Sequence, residues 1–229
     1  MKFTFYCLLG LFLITNQTDA IPSSHRGIEI VLNTVFGQVS SLYKQIQLVI
    51  LQLSNVAEAG IRQIEEDFIK AAINISDLVN DFGDSARQCI KKYWKSLEIA
   101  KAELKSNILE CSKSVKKQGT KITDILQKQQ REIEESSKAF YETINECLEF
   151  KSGQIVECIF YKMGELKNIA SRVTLSTEQS LKKSVDDTSK ISKEGNECIR
   201  GALDKFAQIQ KNTSSKIRDC VKDSWTDYY

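Results

Sequence analysis

The sequence predicts an all-α protein, an elongated antiparallel three-helix bundle of coiled-coil-like character with a nested disulfide ladder between its second and third helices. Three observations lead there. Pro22 is the only proline in 229 residues; apolar residues recur in three- and four-residue steps rather than alternating; and the cysteines are spaced almost as a mirror image about Gly153. With 41% hydrophobic and 27% charged residues, the chain suffices for one domain with a core of its own.

Residues 1–20 read as a secretory signal peptide. Lys2 precedes an apolar run from Phe3 to Ile14, too short to span a bilayer, and a polar stretch then ends at Ala20. Cleavage there removes Cys7, leaves six cysteines and opens the mature chain with a short segment, 21–26, before a single helical domain over 27–229. An exported chain meets oxidising conditions, so paired half-cystines are expected. Asn74 and Asn212 head glycosylation sequons (Asn-Ile-Ser and Asn-Thr-Ser).

The first helix, about 27–82, carries Ile28, Leu32, Val35, Val39, Leu42, Ile46, Val49, Leu53 and Val56 in 4-3-4-3 steps, a coiled-coil seam. The seam slips near Gly60 and resumes through Ile64, Phe68, Ala71 and Ile75. Gly83 suits a left-handed cap, and Asp84 or Ser85 can accept from the first amides of a new helix, so a reversal belongs here. Asp81-Phe82-Gly83 also matches a kinase metal-binding tripeptide, but no glycine-rich loop accompanies it. The second helix, about 85–150, follows eleven-residue rows: Cys89, Ala100, Cys111, Ile122, Ile133 and Ile144, beside Leu104, Val115, Leu126 and Leu148. Gly119 lies in these rows without changing their phase and reads as a tolerated glycine. Lys151-Ser152-Gly153-Gln154 ends that helix, and a third, about 155–225, carries Leu166, Val173, Leu181, Phe206 and Ile217. Its middle, 176–197, is polar and weakly patterned, leaving room for a break there. Helices of these lengths are roughly 80–105 Å long at 1.5 Å per residue.

Six cysteines allow 15 pairings. If the chain turns near Gly153, the nested set pairs Cys89 with Cys220, Cys111 with Cys198 and Cys147 with Cys158, whose residue numbers add to 309, 309 and 305. A near-constant sum is what rungs of one antiparallel ladder produce. Cys89 and Cys111 would stand roughly 33 Å apart on one helix, far beyond disulfide reach, and other short-range pairings need extra breaks. The stretch Arg87–Trp94 echoes Arg218–Trp225. A Cys89–Cys220 bridge would therefore gather Trp94, Trp225, Tyr228 and Tyr229 at one end, either to plug the bundle or to form an interaction surface.

Chemistry is scarce. The sole histidine is His25, so imidazole catalysis and His-rich metal sites have little to build on. Carboxylate pairs such as Glu134-Glu135 and Asp186-Asp187 lack any accompanying catalytic group and read as solvated faces. A formal charge of +2 argues against nucleic acid. Charge is nevertheless organised: residues 113–131 hold five Lys and one Arg against Asp124, and 132–149 hold six Glu against Lys138. Such blocks serve a solvated face, steer a charged partner or set the register of side-by-side assembly. The stretch Ile46–Leu53 is more apolar than a two-partner seam needs, and should be buried in the bundle, against another copy or against a lipid.

The cysteine count alone matches insect odorant-binding proteins, but their close C-x-x-x-C pair is missing. From Ser85 to Cys220, widely spaced cysteines in charged helices, as in SARQCIKKYW (85–94) and SNILEC (106–111), resemble the TsetseEP-type secreted insect proteins. That resemblance implies an extracellular protein of body fluid or gut with no catalytic residues to carry over. The expected function is therefore a secreted, N-glycosylated, non-catalytic interaction or structural protein without cofactor, metal site or transmembrane segment. It would bind an extracellular protein or itself; the alternative is a carrier of lipid or another hydrophobic ligand.

Overall fold

The computed structural model describes residues 25–226, which are helical except for the turn at 149–151. Residues 1–24, including the expected signal peptide, lie outside this range, as do Tyr228 and Tyr229. Among the described residues there are two helical elements, α1 from His25 to Leu148 and α2 from Ser152 to Thr226. The third helix expected over about 155–225 is continuous: α2 runs without a break through 176–197, where the pattern had left room for one.

The element count differs from the three helices expected, and Gly83 explains the difference. It sits inside α1 with φ 59° and ψ −129°, a left-handed backbone that glycine adopts without steric cost. Across it the chain pairs with itself in antiparallel fashion. The Glu65–Lys105 ion pair, the approach of Gly60 to Ile108 and that of Gly119 to Ile50 join residues whose numbers add to 170, 168 and 169. One residue thus reverses the chain with no intervening loop.

The chain divides into two compact units. Among the described residues, one comprises 25–44 with Asp124–Ser184. Its buried apolar side chains are Ile28, Leu32, Val35, Val39 and Leu42 from the first segment, Leu126, Ile133, Phe140 and Cys147 from the second, and Leu166, Ala170 and Leu181 from α2. Burying each large aliphatic or aromatic side chain contributes about 1.5–3 kcal/mol. Register within this unit is fixed by hydrogen bonds. Tyr141 Oη donates to Glu29 (2.6 Å), Gln130 Nε2 to Ser40 Oγ (2.8 Å) and Gln127 Nε2 to Tyr43 Oη (3.1 Å). The buried Thr177 hydroxyl donates to Gln129 Oε1 at 3.1 Å.

The other unit comprises Gln45–Thr123 with 185–226. Its main cluster packs Ala57, Ile64, Ala71, Leu97, Leu104 and Ile108 against Ile199, Ala202 and Phe206. A second cluster beside Gly83 holds Ile75, Ala86, Cys89, Ile217 and Val221.

Several sequence expectations shift in detail. Val56, assigned to the seam, is 42% exposed, and Ala57 takes its place; the phase changes after Leu53, before Gly60 is reached. The eleven-residue row holds to Ile133 and then steps by seven through Phe140 to Cys147, which turns Leu148 outward. Gly119 is not merely tolerated, since an added Cβ would run into the Ile50 side chain, which would have to shift. The polar middle of α2 keeps a buried face in which small residues alternate with Leu181 and Ile191. Thr177 and Ser184 serve in one unit, and in the other Gly195 lies against Val115 and Leu53.

Candidate functional site

The covalent framework comes first. Sγ atoms join Cys89 to Cys220, Cys111 to Cys198 and Cys147 to Cys158, with Cα separations of 5.8, 6.0 and 5.5 Å. Each rung pairs a buried half-cystine on α1 with a less buried one on α2. The extreme is Cys198, which is exposed and lies in an open groove of about 480 Å³ with Asn107, Gly201 and Lys205.

Among the described residues, the most exposed large apolar side chains lie near the turn between the two helices. The last turn of α1 closes with Glu149 N–H donating to Glu146 O and Phe150 N–H to Cys147 O, and the Cys147–Cys158 bridge spans 11 residues. Around this clamp stand Leu148, Phe150, Val156, Phe160 and Tyr161, the last two 78% and 84% exposed. The sequence pattern placed Leu148 in a helical row beside the seam and did not single out the other four. Followed backwards at about 100° per residue, the buried positions Thr177, Ala170 and Leu166 leave Tyr161 on the opposite face and Phe160 on its flank, but set Val156 nearer the core side, so periodicity alone signals only part of the cluster.

The aromatic end expected from the sequence is only partly described. Trp94 is half-buried against Phe68, ring centroids 4.8 Å apart, and its indole N–H donates to Glu98 at 3.0 Å. That makes it a packing residue. The Trp225 side chain, Tyr228 and Tyr229 lie outside what the structure describes. Asn74 and Asn212 are both exposed on helical surface. The Ile46–Leu53 stretch is buried only in part: Ile46 and Leu53 are core, while Leu48 and Leu51 are 52% and 57% exposed. Of the three expected covers, the bundle itself supplies burial for one side only, since one helix face meets the core and the other does not.

A second groove, about 430 Å³, runs between Glu132, Glu135 and Ala139 on α1 and Ile169, Arg172 and Val173 on α2. Both grooves are open clefts of mixed lining. Titration is perturbed at few places. Lys105, by hydrogen bond and charge, holds the Glu65 carboxyl below its ordinary value. The hydrogen bond to Glu29 raises the Tyr141 phenol, and desolvation raises Glu178. None of these three lies beside another perturbed group. Among the described residues, no cluster of three or more His, Cys, Asp or Glu side chains is placed to hold a metal ion, and no helix is long and apolar enough to cross a membrane.

Fold and surface together define an all-helical, disulfide-bonded protein whose prominent features are faces and a clamped turn. The chain belongs to the family described as "Protein of unknown function (DUF725)", whose profile matches residues 85–204, just over half of the 229. The match begins just after Gly83 and takes in five of the six paired cysteines, ending before Cys220. No curated protein and no solved structure matches the chain.

Proposed function

We propose that the protein is a secreted, N-glycosylated, non-catalytic interaction or structural protein. In this reading it is an antiparallel three-helix bundle with Gly83 as its first turn, and it acts through side chains displayed on the helices. The carrying observation is the turn clamped by Cys147–Cys158, which displays Phe160 and Tyr161 almost fully to solvent. Contiguous exposed apolar side chains mark interaction sites, and aromatic rings on a rigid support bind at low entropic cost. Three disulfides fit an extracellular location, and the signal-like residues 1–20 supply the export route.

Photo-crosslinking from position 156 in the secreted protein, with and without Phe160→Ser and Tyr161→Ser, tests this. One defined extracellular protein captured by the parent and lost in the variant is the expected result. Capture unaffected by the two substitutions would remove the turn from the proposal. The alternative, a carrier of lipid or another hydrophobic molecule, is favoured by exposed Leu48 and Leu51 on an amphipathic helix. Native mass spectrometry decides between them: an adduct of lipid mass supports the carrier.

A further inference from the structure

The two charge blocks have a symmetry that points to a partner. Seven charged residues, Asp124, Lys128, Arg131, Glu132, Glu135, Lys138 and Glu142, fall within about 120° of arc on α1 at 100° per residue. All but half-buried Glu132 are exposed. They lie opposite the buried Leu126, Ile133 and Phe140. Within the helix, Lys128 pairs with Glu132 at 3.8 Å and Lys138 with Glu142 at 3.7 Å. Asp124, Arg131 and Glu135 form no ion pair among the described residues.

If this stripe meets its own copy antiparallel, opposed residues have numbers adding to a constant. Lys128 then faces Glu135 and Arg131 faces Glu132, each pair adding to 263, while Asp124 faces Lys138 at 262. Along the sequence the rule extends to Lys121 with Glu142 and Lys117 with Glu146, both at 263. Even the two exceptions obey it: the one acid in the basic block mirrors the one base in the acidic block. Parallel alignment in register would set like charge against like.

We infer that this face of α1 is a self-recognition surface, on which a second copy of the chain docks antiparallel about a two-fold axis near Arg131–Glu132. The inference rests on the interaction reading above and names the partner for this face. A two-fold contact uses the same patch on both copies, so every distinct ion pair occurs twice. Helices packed side by side stand 8–10 Å apart, within reach of Lys, Arg and Glu side chains flanking the contact, and such flanking charges set partner and orientation in coiled coils. Ile125, partly exposed at the edge of the stripe, would be covered. Exposed ion pairs are individually weak and screened by salt, so the dimer is reversible and salt-sensitive.

Sedimentation equilibrium of the full disulfide-bonded chain, at about 0.02 M and about 0.5 M salt, tests it. The parent should dimerise at low salt and dissociate at high salt. Two variants, Lys128→Glu/Arg131→Glu and Glu132→Lys/Glu135→Lys, should each weaken self-association at least about tenfold. Mixed together they should form a heterodimer, and one chain carrying all four changes should dimerise again, which shows the substitutions are compatible with folding. A parent that is monomeric at low salt, or a dimer indifferent to these reversals, overturns the inference. The interaction reading fails separately, on a native mass carrying a hydrophobic adduct.

Discussion

Two glycines of α2 give opposite predictions for the same substitution. At Gly195 an added Cβ would stand 2.7 Å from Val115 Cγ2 and 3.3 Å from Leu53 Cδ1, whereas at Gly201 nothing lies within 4 Å. Alanine in a helix interior is favoured over glycine by about 0.8–1 kcal/mol, and Gly201→Ala should gain close to that. At Gly195 the same gain is offset by overpacking. Val115 is buried and β-branched, with one strongly preferred rotamer in a helix, so it cannot swing its methyl group aside. Forcing a methyl into such a contact costs about 1–3 kcal/mol, and Gly195→Ala should come out neutral to about 2 kcal/mol less stable. The two variants should therefore differ by roughly 1–3 kcal/mol. Urea unfolding of the oxidised protein, followed by far-UV circular dichroism, measures this through the midpoint at constant slope. If Gly195→Ala were as stable as Gly201→Ala, the close approach of α2 to Val115 would be wrong.

Other outcomes follow from the same structure. Thr177→Val should cost about 1–3 kcal/mol by leaving the buried Gln129 Oε1 without its donor; Gln129→Leu in the same chain should recover part of that loss in a double-mutant cycle. Replacing Cys147 and Cys158 together by serine should cost about 2–4 kcal/mol, read from the same unfolding curves. The Tyr141 phenol is raised above 10.0 by its bond to Glu29, so its stabilisation is complete below pH 10 and vanishes as pH rises through the shifted value. The melting temperature of Tyr141→Phe should therefore lie below the parent's at neutral pH, and the gap should narrow in strongly alkaline buffer. Glu65 behaves oppositely: Lys105 lowers it from 4.5, so its contribution is present above that pH and is lost as pH falls through the lowered value. Melting curves of Glu65→Gln against the parent should converge in acid.

What could be read from the sequence was governed by periodicity. Positions such as Ile28, Val39, Leu104 and Ile133 are buried because helical steps place them on one face, and a step pattern is visible without coordinates. The Gly83 turn was legible for a different reason, since a left-handed backbone needs a residue that tolerates it. What escaped depends on distances between helices. Nothing local says that Ile50 approaches Gly119 or that Val115 approaches Gly195, and the fate of Val56 turned on a one-residue change of phase. The exposure of Leu48 and Leu51 escaped because apolar content was taken to require burial, when only one side of that helix meets the core. The aromatic side chains near residue 160 were hidden by their neighbours: a short apolar run beside a cysteine looks like core until the face of Cys158 is fixed.

The nesting of the disulfides has a consequence for a chain that is cut. Cys147–Cys158 lies inside Cys111–Cys198, which lies inside Cys89–Cys220, the outermost spanning 131 residues. A protease that severs the backbone once anywhere between positions 89 and 220 yields two fragments that remain one molecule. At the exposed Lys151, the natural point for a trypsin-like enzyme, the halves stay tied at three places. Before position 89 there is no such insurance, and a severed piece there is held only by packing. After a single cut within 89–220, by contrast, those residues, which include all but the first four positions of the family match, remain one covalent molecule.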